Sequence, residues 1–319
     1  MYISHVIGSN VLIEKLNLFM LKIAYHPCYG HPVEAGHRFP MDKYPLLIEQ
    51  LLYEGTITED NIFSPDPVDE KYVLSTHTKE YWEKLKNQTI SYREARKIGL
   101  PMSDALVKRE LIITQGTIEC TEFAFQNGVA MNIAGGTHHA YTDHGEGFCL
   151  LNDFAVAANY LIQEKGLERI LIIDLDVHQG NGTAEIFQDN SKVFTFSMHG
   201  KNNYPMHKEK SDLDIPLEDQ TTDSTYLSIL KKYIDVLFNE IEPQFVFFLS
   251  GVDILSSDKL GKLGMSIQGC KERDEIVLKY CHDHNVPVAI SMGGGYSPQL
   301  HIIIEAHANT FRIANNIYF

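Results

Sequence analysis

No apolar run in this sequence approaches the roughly 20 residues that a membrane-spanning helix requires, so no membrane span is expected. There is no internal repeat, no low-complexity tract, and no linker rich in proline, glycine or serine to divide the chain. Cysteine is sparse: Cys28, Cys120, Cys149, Cys270 and Cys281 are odd in number, scattered, and form no CxxC pair. That argues against a structural zinc ribbon and for reduced thiols in a cytoplasmic setting. Positive charge is short as well, with 27 Lys and Arg against 42 Asp and Glu, a net charge of −15. Direct nucleic-acid binding is therefore not expected, because phosphate contacts need a basic face. An acidic field instead draws cationic ligands such as lysine-rich peptides or polyamines, although solubility alone accounts for it equally well.

The 319 residues, 44% hydrophobic and 22% charged, suffice for one large α/β domain without disulfide support. The first 19 residues carry Glu14 and Lys15 inside an otherwise apolar stretch, which disfavours a signal peptide. Met20 opens MLKIAYHP, the start of a first core strand. The expected division is an N-terminal extension over 1–19 and a single domain over 20–319.

Short apolar runs at 21–25, 129–133, 169–175, 193–197, 245–250 and 286–292 read as strands. Amphipathic stretches at 112–126, 153–165, 224–241, 268–284 and 298–315 read as helices between them. Near-continuous apolar strands alternating with helices predict a doubly wound, mainly parallel sheet covered on both faces. Ligands bind such sheets just past the carboxyl ends of the strands. Four unusual segments fall at four strand ends: AGGTHHA, DVHQGNG, GVD and GGGY. They should converge on one rim.

The chemistry of these segments is mutually consistent. In IIDLDVHQGNG, Asp176 and His178 alternate, so in extended backbone both point the same way and can grip one metal ion. Such a carboxylate–imidazole set suits zinc. Alone, the DxDxH pattern is more simply a strand end with solvated acids. Asp253 in FFLSGVD is either a helix N-cap or the third ligand that leaves one position open for water. His138 and His139 follow a Gly-Gly turn at a strand end, where histidines can move protons near neutral pH. Tyr296 follows three glycines and either packs or presents a phenol to a developing oxyanion.

Together, GTHHA…GFCLLND, IDLDVHQGNGT, FSMH, SGVDILSSDKLG and GGGY resemble the histone deacetylase family, in the family's order, over nearly everything from Leu21 onward. GLPMSDAL…TQGTIECTEFA with DVHQGNG is most similar to class IV and its bacterial relatives. The resemblance implies an arginase/deacetylase-like α/β fold, a catalytic domain over 20–319, and hydrolysis of acetyl or longer acyl groups from acyl-lysine in proteins or peptides. It implies zinc on Asp176, His178 and Asp253, His139 as general base with His138 as its electrostatic partner, and Tyr296 as the group polarising the carbonyl. Asp174 would back His138 and, with Ser197, hold a structural potassium ion, while Asn181 would back His139. Class I enzymes carry aspartate at that backing position and classes II and IV asparagine, so His139 should be the less basic for it. Gly147, Phe148, Tyr204 and Leu260 would line the acyl-lysine tunnel, with Tyr204 making its mouth more polar than the phenylalanine of many relatives. Arg38 is expected at the inner end of the tunnel, and His199 is read as structural. His144 and His207 are given no role. The alternatives are an acetylpolyamine deacetylase on the same site, a two-manganese ureohydrolase, which SGVDILSSD disfavours for want of histidine, and a non-catalytic binding module.

Overall fold

The computed structural model describes residues 19–319, so all but Phe19 of the expected extension lies outside the described residues. Eight strands form one sheet: β1 (Lys22–Ala24), β2 (Ile62–Phe63), β3 (Val129–Asn132), β4 (Ile170–Asp174), β5 (Val193–Gly200), β6 (Leu213–Leu217), β7 (Phe245–Leu249) and β8 (Val288–Ser291). Their order is β2-β1-β3-β8-β7-β4-β5-β6, and every pairing is parallel. The helices are α1 (Lys43–Tyr53), α2 (Glu70–Val73), α3 (Lys79–Lys86), α4 (Tyr92–Ile98), α5 (Asp104–Asn127), α6 (Asp153–Lys165), α7 (Asn181–Phe187), α8 (Asp223–Ile241), α9 (Ile267–Asp283) and α10 (Leu300–Tyr318). No helix among the described residues is long and apolar enough to cross a membrane.

The central strands β3, β4, β7 and β8 are buried at every residue, so both faces of the sheet are covered. This is why they read as continuous apolar runs rather than as alternating ones. Two strands escape the sequence pattern, and both are edges. The first, β2, has only two residues, and β6 (LDIPL) is half-exposed and carries Pro216, which an edge strand tolerates. Helix α5 begins eight residues before the expected start at 112, because its first turns are polar. Ser103 caps it by accepting from the Leu106 N–H.

The strand order explains the site. β3, β8, β7 and β4 are consecutive neighbours in the sheet. Their carboxyl ends therefore lie side by side, and the four segments that follow them share one rim.

Candidate active site

From the end of β4 the chain delivers Asp176 and His178, and from the end of β7 Asp253. One donor atom from each lies within 4.8 Å of the others, the one such group found among the described residues. His178 Nδ1 is 3.0 Å from Asp176 Oδ1 and 3.1 Å from Asp253 Oδ2. All three residues are buried. The remaining carboxylate oxygens are held by backbone: Gly294 N–H donates to Asp176 Oδ2 at 2.7 Å, and Val177 N–H to Asp253 Oδ1 at 2.9 Å. A Cβ on Gly294 would collide with Asp253 Oδ2, so glycine is required for this close wrapping of the two acids.

The electrostatics favour a cation here. Burial, and then the charge of Asp176, push Asp253 up to about 7. Burial works against a charged His178, but the hydrogen bonds and charges of Asp176 and Asp253 outweigh it and push the imidazole up to about 10. Two buried carboxylates thus hold a positive charge between them, and one imidazole with two carboxylates is a donor set that a divalent ion such as zinc fits.

Beside this group stand the paired histidines that follow β3, their rings 4.1 Å apart. Their backing differs. His138 Nδ1 meets Asp174 Oδ2 at 2.6 Å, whereas His139 Nδ1 meets Asn181 Oδ1 at the same distance. The Asn181 amide is oriented by its Nδ2, which donates to Tyr141 Oη (2.9 Å) and Glu146 Oε1 (2.7 Å). His139 therefore donates through Nδ1–H, leaving the Nε2 lone pair free. Burial opposes charge on both rings. At His138 the Asp174 carboxylate wins and raises the pKa. At His139 burial dominates, the charges of His138 and His178 add to it, and the pKa falls well below the usual histidine value. A dication in place of the His178 proton acts in the same direction.

Tyr296, from the segment after β8, places its ring 6.2 Å from that of His178. Burial raises its phenol well above the usual range, so it remains a hydrogen-bond donor. A cavity of about 230 Å³ reaches the site past Gly147, Phe148, Tyr204 and Leu260, with His139 and His178 at its floor. Tyr204 stands edge-on to His139 at 4.9 Å and is 39% exposed, which puts it at the mouth. Gly147 and Phe148 both have positive φ, held by the Gly147 N–H to Lys97 O (3.0 Å) and the Phe148 N–H to Ile98 O (2.7 Å). A Cβ on Gly147 would strike the His139 ring. A second, inner void of about 30 Å³ lies behind the histidines, bounded by Tyr44, Arg109, Gly136 and Gly293.

One placement differs from expectation. Arg38 is exposed at the outer mouth, its guanidinium 5.8 Å from the Phe148 ring, and not at the inner end. The inner void is bounded by a different cation, Arg109, and behind Tyr296 stands another, Lys43. It is fully buried, donates to Gly293 O at 2.9 Å, and is lowered by burial to about 8 against the opposing charges of Asp253 and Asp176. A lysine in the first turn of α1 reads as solvated, so no sequence signal marks it. Asp258 was also missed. Its carboxylate accepts from the Tyr296 N–H (2.6 Å) and from Leu260 and Gly261 (2.8 Å each), tying the tyrosine to the tunnel wall. His199 is buried and 3.0 Å from Ser197 Oγ. His144 stacks on Tyr141 outside the metal-ligand group.

Fold and site together define an α/β protein with an acid–histidine cation site and a buried histidine pair at the floor of one pocket. A family model for the histone deacetylase domain matches residues 37–311. The chain is 42% identical to an uncharacterized protein of Picosynechococcus over 93% of this chain and 99% of that one. It is 29% identical to histone deacetylase 2 of Arabidopsis thaliana over 83% of this chain and 70% of the other. A crystal structure of a histone deacetylase homologue complexed with SAHA superposes with a TM-score of 0.78 at 26% identity, covering 93% of this chain and 84% of that one. The protein belongs to the histone deacetylase family and is a hydrolase of that family.

Proposed function

We propose that this protein is a zinc-dependent lysine deacylase that removes acetyl or a comparably short acyl group from acyl-lysine in proteins or peptides. The observation that carries the reading is the junction, at one cavity floor, of three groups. They are a buried two-carboxylate, one-imidazole donor set, a neutral histidine with a free Nε2, and a protonated phenol.

Asp176, His178 and Asp253 would hold the ion. When bound, zinc supplies polarisation of the substrate carbonyl and acidification of the attacking water. The chain's own residues do the rest. His139 Nε2 takes the water proton as attack proceeds, which its low pKa permits because the base must start neutral. The Tyr296 hydroxyl donates to the oxyanion that forms. Asp174 keeps His138 toward its charged form, so a positive group stands beside the developing negative charge. A histidine returns the proton to the leaving amine, and lysine and carboxylate depart without a covalent enzyme intermediate. The opposed shifts of two adjacent histidines are the mark of divided acid and base roles.

Gly147, Phe148, Tyr204 and Leu260 would enclose the lysine stem. The 30 Å³ inner void has room for about two waters, which suits an acetate-sized product and not a long acyl chain. Asp174 and Ser197 are register partners across β4 and β5 and offer the hard oxygens that a structural potassium ion takes. The test is an acyl-length series on one lysine peptide with acetylpolyamine as competitor. Acetyl-lysine should be cleaved fastest and the polyamine should compete weakly. Preference for long chains, or for the polyamine, would contradict the reading.

A further inference from the structure

The chain carries a net charge of −15, yet the charged residues that ring the outer cavity beside its histidines are all cations: Arg38, Arg96 and Lys97. All three are exposed. Elsewhere on the surface some basic groups are neutralised in place, as in Lys84–Glu94, Lys165–Glu122, Lys192–Glu168, Lys201–Glu218 and Arg312–Glu54, while others, such as Lys79 and Lys231, stand singly without an ion pair among the described residues. Among the described residues, none of the three rim cations has such a partner. Glu146, which precedes the wall glycine, accepts from the neutral Asn181 amide and keeps its charge, but it does not line the cavity.

Arg96 and Lys97 lie in the last turn of α4, where cations also favour the helix dipole. That accounts for two charges but not for their convergence with Arg38, which comes from a separate loop and stands over Phe148. Phe148 is the wall along which the lysine stem would pass, and Arg38 lines the same cavity beside it. The charged side chains that line the mouth are therefore opposite in sign to the net charge of the chain, and they disfavour the free ammonium groups of a polyamine or a lysine-rich tail.

We infer that Arg38, Arg96 and Lys97 form a specificity rim that selects acyl-lysine substrates bearing a carboxylate close to the acyl-lysine. The inference rests on the deacylase reading. The carboxylate can be the side chain of a flanking Asp or Glu, or the α-carboxylate of a C-terminal acyl-lysine.

The test uses the zinc-loaded full chain and one acetyl-lysine peptide with Glu, Gln or Arg at the flanking positions, each made as C-terminal acid and amide. Values of kcat/KM should rank Glu above Gln above Arg, each step severalfold, carried mainly by KM and compressed at high salt. An advantage confined to the C-terminal acids assigns the rim to the α-carboxylate; one that follows the flanks assigns it to side chains. Either supports the inference. In Arg38→Gln/Arg96→Gln/Lys97→Gln the Glu-to-Gln ratio should fall to near one, and in Arg38→Glu/Arg96→Glu/Lys97→Glu the order should invert. These are ratios between substrates, independent of how much of a variant is folded. A flat or Arg-favouring ranking in the wild type with no advantage of C-terminal acid over amide, and with the neutral peptide hydrolysed, overturns the rim and leaves the deacylase reading standing. No hydrolysis of any peptide overturns both.

Discussion

Replacing Asn181 by aspartate probes the proposed base directly. Asn181 Oδ1 lies 2.6 Å from His139 Nδ1, so the introduced carboxylate would sit about 4 Å from the centre of the imidazolium charge. At an effective dielectric of about 20 a unit charge at that range is worth about 4 kcal/mol, or roughly 3 pKa units. The protein contains its own comparison, since His138 has the same 2.6 Å contact to a carboxylate and is raised where His139 is lowered. A second contact reduces the effect. The Asn181 Nδ2 position is 2.7 Å from Glu146 Oε1, and two carboxylates there would share a proton and dilute the new charge. The single variant should therefore raise the His139 pKa by about 1 to 2 units, and Asn181→Asp/Glu146→Gln by more. A base must be neutral to act, so a raised pKa moves the acid limb of kcat/KM to higher pH. The assay is a pH profile from about 5 to 10 on an uncharged acetyl-lysine peptide, spanning the histidine range, with zinc content measured in parallel. An acid limb that stays put or moves down in both variants, with zinc retained, would disconnect Asn181 from the base and refute the assignment of His139.

Tyr296→Phe keeps the packing but removes the oxyanion donor, and should cost on the order of 100- to 1,000-fold in kcat with little change in binding; an unimpaired kcat would mean the tyrosine only packs. Asp258→Ala cuts the hydrogen bonds that position Tyr296 and Leu260, so kcat should drop on the order of 10- to 100-fold with zinc retained. Unchanged turnover would show that Tyr296 is placed without it. Burial holds His77 and His199 down at about 4 and His307 well below the usual histidine value. The unfolded chain binds these protons near pH 6.5 and the folded one does not. The stability these histidines contribute is therefore full above about 6.5 and is lost as pH falls toward 4; replacing all three by Gln should flatten the fall of Tm across that window, and an unchanged slope would show that they do not set it.

How much of this was legible follows from the physics of each segment. The four central strands are buried on both faces, so their apolar runs and the chemistry at their ends stand out, and their adjacency turns four motifs into one site. The edge strands β2 and β6 lack that pattern because half of each faces outward. Arg38 departs from its expected place because the 30–42 segment is largely irregular and no periodicity reports where its side chains point. The cation that bounds the inner void is Arg109, while Lys43, five residues after Arg38, is turned inward by its helix over the rings of Phe39, Tyr44 and Tyr296. Asp258 acts through backbone N–H groups of residues near and far in sequence, a contact that no spacing encodes.

The central claim is hydrolysis at the Asp176–His178–Asp253 group, and the most direct measurement pairs metal content with product formation in Asp253→Asn. The wild-type protein loaded with zinc should bind one equivalent and convert an acetyl-lysine peptide to free lysine and acetate. The variant should lose both the tightly held zinc and the reaction together. Full turnover in the variant, or a metal-loaded wild type that leaves every acyl-lysine peptide intact, would contradict the account.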